Sequence, residues 1–247
     1  MCNAGMKDSL DENIKAILFD LDGTLLEIKL DKFISQYLNL LAQRVAHLVP
    51  PKKFISKILK ALKVVEKNNG ERSNEELYES VFFPLEGHSQ EELQPLITKF
   101  YEDGFSQLRQ YAHRKPDARK VVQTAFNKGY DVIIATTPLL PATAIRQRLE
   151  WAGVANFPYH LITTLENSYA TKSVSNLLYY EQILDRIDHP PESCLMVGDE
   201  AKDLISARLG IHTFLINSPY TKLDINTPKP NYRGTLDDLN NLILNTV

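Results

Sequence analysis

Cysteine is nearly missing from this chain: Cys2 and Cys194 are the only two in 247 residues. One stands near the N-terminus and the other opens an apolar run, so they make no disulfide framework, and a reducing cytoplasm is the expected compartment. Long hydrophobic runs are missing as well. No apolar stretch approaches the roughly 20 residues that span a bilayer, and the N-terminal MCNAGMKDSLDEN has no apolar signal core, so no membrane association is expected. An excess of basic charge is also lacking. With 28 Lys and Arg against 31 Asp and Glu, the formal charge is -3, which argues against a nucleic-acid partner. None of the six histidines shows a metal-ligand spacing, and there is no internal repeat or low-complexity segment. What remains is a chain 43% hydrophobic and 24% charged, ordinary for a globular protein of one large domain or two modest ones.

The most informative stretch is KAILFDLDGTL at 15–25. Ala16, Ile17, Leu18 and Phe19 form an apolar run without alternation, the pattern of a strand buried on both faces of a parallel sheet. That strand delivers Asp20 and Asp22 at its carboxyl end. Two carboxylates two apart point the same way while the chain stays extended, and Gly23 beside Thr24 marks the turn. In open α/β sheets this edge is where ligands bind.

From 30 to 111 the apolar residues recur at helical spacing, as in Phe33, Tyr37, Leu40 and Leu41 and again in Phe54, Ile55, Ile58, Leu59 and Leu62. Pro50 and Pro51 separate two helices, and Asn68-Asn69-Gly70 ends the second. Ser73 with Glu76 and Ser89 with Glu92 are capping boxes opening a third and a fourth. Four such segments predict a small helical subdomain inserted after the first strand. The lysine series Lys53, Lys57, Lys60, Lys63 and Lys67 reads as its solvated face.

Beyond 115, strands and helices alternate: helices are expected at 116–127, 141–152, 176–187, 204–209 and 236–244, and strands at 131–136, 160–164, 194–199 and 212–217. Leu149 and Trp151 read as helix packing residues. Repeated strand–helix units imply a doubly wound parallel sheet, an α/β fold of Rossmann-like type.

Three strand ends carry polar residues of the kinds that phosphoryl transfer requires: Asp20 and Asp22, Thr136, and Asp199 followed by Asp203. Carboxylates gathered this way repel one another unless a cation sits among them, and an all-oxygen ligand set favours Mg²⁺. Lys172 is the only lysine between Thr136 and Asp199, which makes it by exclusion the candidate for a fixed cation. Each residue also has a plainer reading: Thr136 as a strand end, Asp203 as a helix-start charge, Lys172 as a solvated side chain.

In this order the residues resemble the haloacid dehalogenase (HAD) superfamily. Its four motifs stand here as Asp20-Leu21-Asp22-Gly23-Thr24, Thr136, Lys172, and Gly198-Asp199 through Asp203. The resemblance implies a Rossmann-like catalytic core at 1–29 and 112–247 with an α-helical cap at 30–111. It implies Asp20 as the nucleophile that takes up the phosphoryl group and Asp22 as the acid and then the base. Mg²⁺ would be held by the Asp20 carboxylate, the Asp22 backbone carbonyl and Asp199, with Asp203 ligating through water or orienting its neighbours. Thr136, Thr137, Lys172 and Gly23 would bind the phosphate. Thr137 stands where many relatives have Asn, and Ser173 follows Lys172 where Pro is common, so the Lys172 loop departs from the usual pattern.

The expected activity is a Mg²⁺-dependent phosphatase acting on a small phosphorylated metabolite. A phosphomutase shares all four motifs. A carbon–halogen hydrolase has no leaving alkoxide to protonate, and Asp22 argues against it. A non-catalytic binding protein on this fold would have no reason to keep both Asp20 and Asp22. Substrate identity and oligomeric state are not legible at this level.

Overall fold

The computed structural model describes residues 8–219 and 221–246; Cys2 lies outside them. At its centre is β1 (Ala16–Phe19), four residues with no exposed side chain. The apolar run is unbroken because both faces are covered: Ile17 and Phe19 join one hydrophobic cluster, Ala16 and Leu18 the other. β1 pairs in parallel with β4 (Asp131–Ile134) on one side and β6 (Cys194–Gly198) on the other. The sheet is completed by β5 (Leu161–Ile162), β7 (His212–Ile216) and β8 (Tyr232–Gly234), in the parallel order β5-β4-β1-β6-β7-β8. Helices cover both faces. α5 (Ala118–Asn127), α6 (Ala142–Ala152) and α9 (Leu236–Asn245) contribute to the first cluster, and α7 (Leu178–Ile187) to the second. This is the doubly wound, Rossmann-like α/β fold expected.

Between β1 and α5 the chain leaves the sheet through β2 (Leu26–Ile28) and returns through β3 (Ala112–Arg114), which pair antiparallel. Strands of three residues carry no readable alternation, and neither these two nor β8 was anticipated. The segment they bracket holds α1 (Leu30–Arg44), α2 (Pro51–Val65), α3 (Asn74–Phe82) and α4 (Gln90–Lys99). Pro51 stands at the first helical position of α2. Ser73 caps α3 reciprocally with Glu76, and the Ser89 amide donates to Glu92 at 2.8 Å. α2 ends at Val65 rather than at Asn68: Asn68 is buried and turns its amide onto Arg72 O and Asn74, so it organises the connection instead. After α4 the chain continues in a wider turn at Phe100–Gly104 and a tighter one at Phe105–Tyr111. There Phe33, Tyr37, Phe100, Tyr101 and Phe105 form an aromatic cluster, with Trp151 of α6 stacked on Phe105 at 5.5 Å. The lysines of α2 lie off its buried face of Phe54, Ile58, Ala61 and Val65.

A helix expected at 204–209 starts earlier. α8 (Ala201–Leu204) is opened by a reciprocal cap between Glu200 and Asp203 and then tightens over Ile205–Leu209. Cys194 is buried and free. Among the described residues, no helix is long and apolar enough to cross a membrane.

Candidate active site

Because β1 lies between β4 and β6, the three carboxyl ends are neighbours. Phe19 is in register with Ile134 and Val197, so Asp20, Thr136 and Asp199 emerge side by side. Two backbone bonds pin the exit: Asp20 N–H donates to Val197 O at 2.9 Å and Ala135 N–H to Phe19 O at 2.8 Å. Gly23 turns the chain with φ +87°, and a Cβ there would overlap the Asp199 carboxylate. Thr24 donates its hydroxyl to Asp199 Oδ1 at 3.3 Å. Gly198 serves closeness: a Cβ would collide with the Asp203 side chain.

Carboxylate oxygens of Asp20, Asp199 and Asp203, all buried, lie within 4.8 Å of one another, a grouping that could hold a metal ion. Lys172 reaches into it from the loop before α7 and donates 2.7 Å bonds to Asp20 Oδ1 and Asp203 Oδ1. Burial opposes the charge on Lys172, but the attraction of Asp20 and Asp203 outweighs it and holds its pKa well above the usual lysine range. Asp203 also accepts from the Glu200 amide at 3.0 Å, and burial pushes its pKa up against the pull of Lys172. Burial, reinforced by the charges of Asp20, Asp203 and Glu200, pushes Asp199 up to about 7. An all-oxygen, acid-rich group of this kind fits a hard divalent cation, whose charge would return Asp199 to its ionised form.

The sequence-derived candidates therefore divide. Asp20, Asp199, Asp203 and Lys172 converge. Thr136 is buried at the adjacent strand end, with its carbonyl held by Thr163 and Tyr179 at 2.8 and 2.9 Å, and Thr137 follows half-buried. Asp22 does not add its carboxylate to the cluster; it pairs with Arg148 of α6. Its pKa is raised, chiefly by burial, with Arg148 pulling the other way.

Three cations here escaped the sequence reading. Lys115 donates to Gly23 O; burial lowers its pKa although Asp199, Glu27 and Asp20 attract it. Lys202 is raised, the attraction of Glu200 and Asp20 outweighing burial. Arg148 had a signal: it shares the buried face of α6 with Ala144, Ile145, Leu149 and Ala152, and a guanidinium among apolar positions at helical spacing asks for a partner.

The inserted segment rests on the loops behind this site. The Asn74 and Glu75 amides at the start of α3 donate to Ser168 O and Leu165 O at 2.7 and 3.1 Å. The fully buried Asn74 side chain donates to Pro138 O at 3.3 Å and Ala170 O at 3.0 Å and accepts from Asn68 at 2.8 Å. One amide group thus ties the loop after Thr136 to the loop before Lys172.

A family model described as "haloacid dehalogenase-like hydrolase" matches residues 14–210. No individual curated protein matches the chain. Among solved structures, similar folds include an HAD phosphatase from Thermococcus onnurineus, with TM-score 0.58 and 18% identity over 94% of this chain and 99% of that one. An L-2-haloacid dehalogenase from Xanthobacter autotrophicus with chloropropionic acid covalently bound gives TM-score 0.57 and 13% identity over 95% and 100%. A predicted phosphoglycolate phosphatase from Haemophilus somnus gives 0.53 and 16% over 95% and 99%. At these identities the likeness shows a shared fold, and it spans phosphatases and dehalogenases alike.

Proposed function

Because the chain belongs to the haloacid dehalogenase-like hydrolase family, we propose that it is a Mg²⁺-dependent phosphatase that hydrolyses a small phosphorylated metabolite through an aspartyl-phosphate on Asp20. The observation that carries this reading is the buried grouping of Asp20, Asp199 and Asp203 within 4.8 Å. Displacement of a halide by a lone carboxylate has no use for such a cluster, whereas phosphoryl transfer places a dianion against an anionic nucleophile and needs positive charge around both. The second carboxylate, Asp22, supports the same choice, since an alkoxide leaving group needs a proton and a halide does not.

Asp20 attacks phosphorus and takes the phosphoryl group, while Asp22 gives its proton to the departing oxygen. The substrate's alcohol leaves. Asp22, now a carboxylate, takes a proton from water, which hydrolyses the aspartyl-phosphate and returns Asp20. Lys172 and Thr136, with Thr137 and the Gly23 turn, hold phosphate oxygens and spread the transition-state charge. The metal, held by the Asp20 and Asp199 carboxylates and the Asp22 carbonyl with Asp203 orienting its neighbours, would offset the repulsion between phosphate and nucleophile. Residues 30–111 act as a cap over the core formed by 1–29 and 112–247. The β2–β3 pair is its stem and the Asn74 contacts its dock. The free, buried Cys194 fits a reducing, cytoplasmic setting.

The test is a panel of phosphorylated metabolites assayed with Mg²⁺ and after exhaustive chelation. Phosphate release that stops on chelation and is abolished by Asp20→Asn is expected. Halide release from a haloalkanoic acid without phosphate release from any ester would overturn the reading.

A further inference from the structure

Arg148 is 3% exposed. Its Nη1 donates to Asp22 Oδ2, while its Nε and the other Asp22 oxygen, Oδ1, are buried with no hydrogen-bond partner among the described residues. A buried guanidinium is an expensive way to fill space on an apolar helix face, where leucine or methionine would pack at lower cost. The neighbours of Arg148 are committed to holding α6 in place: Gln147 donates to Tyr101 O at 2.6 Å, and Trp151 stacks on Phe105 at 5.5 Å. The arginine therefore projects from a helix anchored on the segment that carries Tyr101 and Phe105, and the group it meets is Asp22.

We propose that Arg148 is the positioning residue for proton transfer: it holds Asp22 by Oδ2 and leaves Oδ1 as the atom that serves the leaving-group oxygen and then the attacking water. This rests on the phosphatase reading above. A carboxylate on a turn swings freely about two side-chain bonds, and proton transfer requires it within hydrogen-bond reach of one particular oxygen. Arg148 removes that freedom by holding Oδ2, and Oδ1 is the oxygen left without a partner.

The experiment measures single-turnover bond cleavage with ethyl phosphate, whose leaving group needs a proton, and with para-nitrophenyl phosphate, whose leaving group does not. In Arg148→Met, cleavage of the ethyl ester should fall by about 10²-fold, the lower end of what general acid catalysis contributes. Cleavage of the aryl ester should change by only a few fold, and KM should hold for both. Arg148→Lys should restore part of the loss, and Asp22→Asn/Arg148→Met should be no slower than Asp22→Asn alone. Equal losses for the two esters, or additive losses in the double variant, would overturn the proposal by showing that Arg148 serves only to hold the fold. If Arg148→Met fails to fold, Arg148→Gln, which keeps a donor but not the charge, gives the same comparison. A wild-type enzyme that cleaves neither ester, nor any phosphorylated metabolite, would instead remove the phosphatase reading, and the proposal with it.

Discussion

Nζ of Lys172 lies 2.7 Å from Oδ1 of Asp203, a carboxylate with no exposed surface, although the two are 31 positions apart in sequence. The same ammonium neutralises Asp20 at the same distance. Removing it strands two buried carboxylates. In metal-free buffer, Lys172→Met should therefore lose about 3–5 kcal/mol of unfolding free energy, the usual cost of breaking one side of a buried pair. Adding Asp203→Asn should recover part of that loss by removing one stranded charge. Urea denaturation of the two variants decides it; an unchanged midpoint in Lys172→Met would show that the ammonium is not structurally required.

Asp199 predicts a pH dependence with a definite sign. Its folded-state pKa is pushed up to about 7 from 3.8, first by burial and then by neighbouring carboxylates, so folding disfavours its ionised form. Its share of stability in the metal-free protein is thus fully present below about pH 4 and drains away as pH rises towards 7. The difference in melting temperature between the wild type and Asp199→Asn, followed from pH 4 to 8 in chelator, should swing towards the variant as pH rises. Added Mg²⁺ should flatten that swing by favouring the carboxylate. A pH-independent difference would mean that Asp199 is already ionised and compensated within the fold.

Asn74 should couple the inserted helices to the two loops it bridges. Asn74→Asp keeps the size but replaces the two donated N–H bonds to Pro138 O and Ala170 O with an acceptor facing carbonyls, a change worth about 1–3 kcal/mol of local stability. Hydrogen exchange at the Asn74 and Glu75 amides, whose acceptors are Ser168 O and Leu165 O, should quicken in the variant before the β-sheet amides do. Affinity for inorganic phosphate should weaken at the same time. Unchanged exchange at these amides would show that the dock does not depend on this side chain.

The sheet and its order of motifs were legible because they are local. An unalternated apolar run that ends in Asp20, Gly23 and Thr24 reads as a doubly buried strand with a turn after it, and β4 and β6 repeat the logic with Thr136 and Asp199. The capping boxes at Ser73 and Ser89 were equally plain, since each bond joins residues three apart. The strands β2, β3 and β8 were not legible. Each is three residues long and owes its conformation to a partner strand, so nothing in its own pattern marks it.

The site divides along the same line. From the sequence alone one could name Asp20, Asp22, Thr136, Asp199 and Asp203, because each stands at the end of a legible strand or just beyond it, and Lys172 by exclusion, as the only lysine between Thr136 and Asp199. Only the tertiary structure decided what each touches: the Asp22 carboxylate turns to Arg148, 126 positions away, and Lys115 reaches the Gly23 turn beside the acidic cluster from a segment 92 positions on. The physical reason is that charge acts through space. Burial strips these groups of water, so their partners are chosen by proximity in the folded chain, and proximity between distant segments is created by strand register and helix packing, which no short stretch of sequence encodes.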